Sequence, residues 1–463
     1  MNFIDKAISM MSPGWAVSRL RSRAVIKAYE AAIPTRTHKI KRENRNANQL
    51  NQIAGKSLRE QARWFDNNHD LVVGALDKME ERVIGAKGII VEPQPLTVAG
   101  TLNNALAEQI RARWAEWSVS PDVTGQYTRP VLERLLLRTW LRDGEVFSQM
   151  VAGKMPGLEP VAGVPFWLEA MEPDYVPMEQ TDSTNNLIQG IYFNDWQRPK
   201  SYIVCKSWPG FATAMVATKL IDAENMLHLK FTRRLNQARG VTLLAPVIIR
   251  LLDLKEYEDS ERLAARISAA FAMFIRRSDA MVQDGDAPDY ADKDRDLDIE
   301  PGTYSAQRQE LVEAQEGYAI LQDNFIAAVS RPVYRRWLAT AITAGVIDVP
   351  TDTDMATLFN AVYSGPVMPW IDPLKEANAW RILIRGGAAT ESDWVRARGG
   401  APAEVKRRRK AEIDENRKLG LVFDTDPAHD PGEQDNAGSE DNSGGDKNAA
   451  GDDSRERTRG GKQ

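Results

Sequence analysis

At 463 residues, 43% hydrophobic and 27% charged, with 12 tryptophans, the chain has material for a large packed core, which excludes a wholly disordered protein and a single small module. Cys205 is the one cysteine and the four histidines are scattered, so an intrachain disulfide and a cysteine zinc cluster are both excluded. A formal net charge of -5 argues against a protein that grips DNA over its whole surface, while leaving room for a local basic patch.

In chain order, residues 1–50 read as a basic arm, rich in Lys and Arg over 19–45 and broken by Pro34. Ser57 with Glu60 three positions on makes a capping box, and Trp64, Leu71, Leu76, Met79, Val83 and Ile84 supply an apolar face. One long amphipathic helix is predicted, stopped by Gly85 and Gly88. Leu102, Leu106, Ile110, Trp114 and Trp117 recur at spacings of four and three and predict a second helix. Pro130 opens a third, carrying Leu132, Leu136 and Trp140 and ending at Asp143 and Gly144.

Between Glu145 and Phe231 short apolar runs at 146–151, 166–170, 187–193, 202–205 and 226–231 are separated by Pro, Gly, Asn and Asp, which predicts antiparallel strands joined by turns. Helical periodicity returns over 246–275, a length of about 45 Å. This helix is densely charged, with Glu256, Asp259, Glu261 and Arg262 among its polar positions. It is either a core helix with one solvated face or a helix shared with neighbours in a ring. A further helical run covers 307–344, bent near Pro332. After Phe423 there is no Val, Ile, Leu, Met, Phe, Trp, Tyr or Cys, and residues 424–463 are expected to be a disordered acidic tail.

No known reaction chemistry has an address. Gly55, Lys56 and Ser57 lack the phosphate-loop glycine, because Leu50 stands at its place. The acidic run Asp292, Asp294, Asp296, Asp298 has Leu297 where a calcium loop turns on glycine and Thr303 where it needs glutamate. No catalytic residue, cofactor or metal site is therefore predicted, and His228 reads as a satisfied structural histidine within a strand. The best apolar stretch, residues 241–252, contains Thr242, Pro246 and Arg250, so no membrane span is expected, and the first residues show no secretory signal.

Two basic groups stand out as candidate DNA or partner contacts. Arg233, Arg234, Gln237 and Arg239 occupy a loop between the last strand and the long helix. They either face a partner or pair with nearby carboxylates. Lys406, Arg407, Arg408 and Arg409, with Lys410, lie in a charged helix near Glu404, Glu412 and Glu415. Pairing at i to i+4 explains them, as does contact with nucleic acid or a partner protein.

Certain landmarks occur in a specific order: VIGAKG at 83–88, Trp114 and Trp117, Asp143-Gly144-Glu145, MLHLKFTRRLNQARGVTLLAP at 226–246, and LLDLKEYEDSERLAARISAAFAMFI at 251–275. Downstream come TYSAQRQELVEAQ from Thr303, RPVYRRWL from Arg331, MPWIDPLKEANAW from Met368 and LGLVFDTDP from Leu419. In this combination the chain resembles the lambda-type family of tailed-phage portal proteins, over nearly its whole length apart from the tail.

The resemblance implies an α+β subunit of a homo-oligomeric ring, a dodecamer, at one capsid vertex of a virion made in a bacterial cytoplasm. It implies a helical part of the wing at 51–144, a β-rich wing and clip region at 145–232, a loop and long stem-type helix at 233–302, and a helical stem and crown region at 303–423. The implied partners are the terminase large subunit, the major capsid and scaffold or protease proteins, a head-completion protein and transient double-stranded DNA. The terminase hydrolyses ATP and the portal does not. One departure stands out: family members carry a substantial stretch between a Pro-Gly turn and the motif matched by residues 303–308, whereas Pro301 and Gly302 run straight into it. The tunnel loop that approaches DNA is expected to be missing and the two long helices closer coupled. The chain is then a shortened working variant or a decayed, non-functional prophage copy. The alternative class is a monomeric or small-oligomer capsid-associated nucleic-acid-binding protein.

Overall fold

Most of residues 47–143 fold as helices because apolar side chains recur there near every whole turn, with loops and the short strand Ile90–Pro93 between them. The computed structural model describes residues 43–209, 217–279, 304–366, 373–421 and 423, with 270–279, 304–313 and 373 described in backbone course alone. The basic arm through residue 42, the acidic run at 292–298, the junction at Pro301 and Gly302, residues 368–372 and the tail from 424 lie outside the described residues.

In chain order the elements are α1 (Ala47–Asn68), α2 (Asp70–Val83), β1 (Ile90–Pro93), α3 (Asn104–Trp117), α4 (Arg129–Asp143), β2 (Glu145–Ala152), β3 (Phe166–Met171), β4 (Leu187–Ile188), β5 (Ile191–Phe193), β6 (Pro199–Cys205), β7 (Thr218–Asp222) and β8 (Met226–Lys230). Next come α5 (Ile248–Asp279), α6 (Tyr304–Phe325), α7 (Arg331–Thr343), β9 (Ala361–Ser364), α8 (Pro373–Arg385), α9 (Glu391–Ala397) and α10 (Pro402–Leu419). The chain is α+β and divides into two compact units, Met1–Ala388 and Ala389–Gln463.

The first helix differs from its expected form. It starts not at Ser57 but at Asn46, whose side chain accepts the Gln49 N–H at 2.7 Å while Gln49 Oε1 accepts the Asn46 N–H at 3.2 Å, a complete capping box. Ser57 is an interior position that accepts from Gln61. The predicted single helix is also two, because His69 takes an extended conformation (φ -127°, ψ 108°) and α2 restarts after it. Apolar spacing continues on both sides of the break, which is why periodicity alone passes over it.

The other helices obey their signals. Pro130 sits in the first turn of α4, where its missing N–H costs nothing, and Gly144 closes the helix in the left-handed region (φ 90°). Pro332 marks a widening of the helical ladder into a π turn at Ile326–Ser330 between α6 and α7, as its ring excludes the i-4 carbonyl. The run at 187–193 is a hairpin rather than one strand: Gln189 and Gly190 take positive φ (50° and 82°) and turn β4 into β5.

The sheets are antiparallel throughout: β3-β2-β8, β4-β5-β6-β7 and the pair β1-β9. Side chains alternate across β2, and both of its faces are covered. Val146 and Met150 join the large core formed with the helices, whereas Phe147 joins a smaller core with Ile191, Tyr202, Val204 and Ile221 of the four-stranded sheet. An aromatic cluster anchors the large core. Trp114 lies 4.8 Å from Trp117 and 4.9 Å from Trp337, Trp117 lies 5.6 Å from Phe166, and the Trp117 indole donates to the Phe166 carbonyl at 2.8 Å. In the second unit α9 packs on α10.

Candidate functional site

The arginine loop divides into a buried half and an exposed half. Two backbones meet at its base: a Cβ on Gly240 would stand 2.1 Å from the Gly144 carbonyl oxygen, so neither chain can carry a side chain at the crossing. This contact places Arg239 beside Glu145, both fully buried. Arg239 Nε donates to both Glu145 oxygens at 2.8 and 3.0 Å, and its remaining nitrogens donate to the carbonyls of Val176, Gln189 and Pro173. The Gly240 N–H and Arg59 complete the shell of Glu145, at 2.8 and 3.3 Å. Arg59 reaches on to Asp174, and Arg63 bridges Asp174 and Asp143, so α1, α4 and the loop before α5 are joined by one charged network.

The electrostatics stem from burial and this pairing. Burial alone would raise the Glu145 carboxyl, but Arg239, His228 and Arg59 outweigh it and hold the group far below the usual carboxylate range. His228 Nε2 lies 3.1 Å from Glu145, yet burial dominates and lowers the imidazole to about 4, leaving it neutral at pH 7. It is stacked 4.3 Å over Phe147.

Of the two readings of this loop, Arg239 takes the carboxylate-pairing one: its guanidinium is enclosed by protein and has no surface to offer DNA or a partner. Gln237 is buried as well, holding the loop through the Phe231 and Arg239 carbonyls. Asn236 in the left-handed region (φ 60°) turns the tip. There Arg233 and Arg234 are exposed, Arg234 donating to the Arg45 carbonyl, and Leu235 is 94% exposed.

Among the described side chains of the long helix α5, through Ala269, those at its start are the covered ones. Ile248 and Leu251 enter the large core, and Lys255 sits 4.8 Å over the Trp64 ring and donates to the Asn68 carbonyl. From Glu256 to Ala269 every side chain is exposed, including Glu256, Asp259, Glu261 and Arg262, the last paired with Asp259 at 3.3 Å and Glu258 at 3.6 Å. Apolar groups share that exposure. Ile249, Leu252, Leu263 and Ile267 are spaced close to whole turns and form one stripe, while Leu254 and Tyr257 lie about 135° around the helix. In the second unit Lys406, Arg407, Arg408 and Arg409 are exposed on α10, with Arg408 paired to Glu404 one turn back. The sequence candidates therefore fall in three places: a loop tip, a bare helix and a helix of the other unit.

The family model described as phage portal protein, lambda family, matches residues 34–303, more than half of the chain. The chain belongs to that family. A probable portal protein of Halomonas phage phiHAP-1 is 22% identical over 466 residues, spanning 84% of this chain and 88% of that protein. Among solved structures, the neck of an empty GTA particle computed with C6 symmetry is matched with 13% identity over 75% of this chain and 94% of that chain, at a TM-score of 0.30 too low to carry an argument. The matched family region contains both glycines of the Gly144–Gly240 crossing and the whole Glu145–Arg239 pair.

In this portal chain no group of three or more His, Cys, Asp or Glu is placed to hold a metal ion among the described residues. Among those residues no helix is long and apolar enough to cross a membrane. Sequence reading missed Glu145 as the centre of the buried network. The signal available was an acidic residue directly after a helix-stopping Gly at the start of an apolar strand, where an ion needs a partner from elsewhere in the chain.

Proposed function

We propose that this chain is the repeating subunit of a portal ring, the vertex of a phage head through which double-stranded DNA enters during packaging and leaves at ejection. The observation that carries the reading is the bare helix α5. A helix of about 48 Å with exposed apolar stripes on two separated faces is poorly suited to solitary existence in water. In a cyclic ring each copy has two neighbours at an obtuse angle, about 150° apart for twelve copies, so one helix needs two different apolar faces. The stripes at about 135° meet that need.

Under this reading α5 belongs to the stem, the β-rich region from Glu145 to wing and clip, and α6 onward to stem and crown. The Glu145 network ties the base of the stem helix to the wing. α5 carries both signs of charge, with Glu256, Glu258, Asp259 and Glu261 followed by Arg262 and Arg266, so a ring of such helices offers DNA a mixed lining with weak contacts, suited to a conduit that must not grip. The subunit acts through geometry, while the terminase large subunit, docked on the ring, hydrolyses ATP. A head-completion protein takes that place after filling, and shell and scaffold proteins surround the ring at one vertex of the virion. Negative-stain microscopy of the purified chain tests the proposal: annular particles with a central hole are expected, and compact globules of single-chain size would contradict it.

A further inference from the structure

The last described residues of the second unit reverse direction. Gly420 ends α10 with left-handed angles (φ 70°, ψ 20°), and the Leu421 N–H bonds back to the Asn416 carbonyl at 2.9 Å. The chain so turned lies against α10: Leu421 and Phe423 enclose, with Val405 and Ile413, a groove of about 440 Å³ edged by Arg408 and Arg409. Phe423 thus launches the acidic segment beside the basic helix.

The chemistry of that segment is complementary to the helix. Residues 424–446 carry eight carboxylates and no lysine or arginine, whereas residues 406–410 are five consecutive cations, all exposed. Glu404 answers Arg408, but Lys406 and Lys410 have no ion-pair partner among the described residues. The acidic segment has no Val, Ile, Leu, Met or aromatic residue, so negative charge is its one strong means of recognition. Reach is not limiting. Lys410 lies about 14 Å along the axis from Leu419, a distance that four or five extended residues cover.

We infer that the acidic segment 424–446 docks on the basic turn 406–410 of α10 in its own chain and competes there with nucleic acid. Tethering raises its effective concentration to the millimolar range, enough for a weak polyanion to occupy the cations before DNA does. Every copy then carries the counter-charge for its own basic helix. The inference rests on α10 and the sequence after it and holds whether or not the chain forms a ring.

The test compares full-length proteins by fluorescence anisotropy with a dye-labelled DNA duplex at low salt. Changing all eight acids of 424–446 to Asn or Gln is expected to tighten DNA binding about tenfold or more. Adding K406Q, R407Q, R408Q, R409Q and K410Q is expected to abolish that gain. Affinities within about twofold of the unaltered chain, or a gain that survives loss of the five cations, would overturn the inference. A second readout on the unaltered chain is carbodiimide coupling followed by mass spectrometry. Links from the tail carboxylates to Lys406 or Lys410 are expected, and links confined to other lysines would overturn it.

Discussion

Replacing Glu145 by Gln leaves the Arg239 and Arg59 guanidiniums buried beside a neutral amide. An uncompensated buried charge is costly, so the variant is expected to lose about 3–5 kcal/mol, read as a lower urea midpoint. Gly240→Ala should cost about 3 kcal/mol by the same measurement, because its methyl meets the Gly144 carbonyl, a backbone atom that cannot swing away. Acid acts on this centre with a definite sign. His228 is kept neutral down to about 4, so the unfolded chain takes up a proton first as pH falls, and stability drops between about 6.5 and about 4. Glu145 adds to the loss in the same direction as pH falls through the ordinary carboxylate range, where the unfolded chain's carboxyl protonates and the folded one does not. A urea-midpoint series from pH 7 to 4 checks this, with His228→Gln expected to flatten its upper part. The residues of this centre were visible singly, in Asp143-Gly144-Glu145 and in Arg239-Gly240. Their meeting was not legible, because 94 residues separate Glu145 from Arg239 and only the fold closes that distance.

Helices were the legible elements, since an apolar face repeats within a few residues and Pro130, Gly144 and Pro332 punctuate it locally. The break at His69 escaped because the repeat persists across it. Strands β1 and β9 escaped for a different reason. Ile90 pairs with Ser364 and Pro93 with Ala361, so each short strand exists only through a partner some 270 residues away and leaves no mark in its own neighbourhood. For α5 the sequence left two readings open, and the exposure of its apolar stripes favours the helix shared with neighbours. Leu263→Asp with Ile267→Asp removes the outer half of one stripe without touching the core, so the chain is expected to keep its circular dichroism and urea midpoint while failing to assemble, as gel filtration would record. Assembly undiminished by both changes would assign that stripe no role between subunits.

For the whole molecule, composition narrowed the class and the ordered landmarks from Val83 to Leu419 carried the family, which the match over residues 34–303 bears out. In the proposed ring one Glu256 or Arg262 per chain would become a circle of like charge, giving a channel local fields that a net charge of -5 per chain does not announce. No single chain discloses the number of copies, because closure is a property of the interface angle and not of any residue. Static light scattering of the purified full-length chain tests the central claim most directly. A particle many times the 51.8 kDa of one chain is predicted, whereas a folded species that stays at 51.8 kDa even beside its own shell proteins would contradict the account.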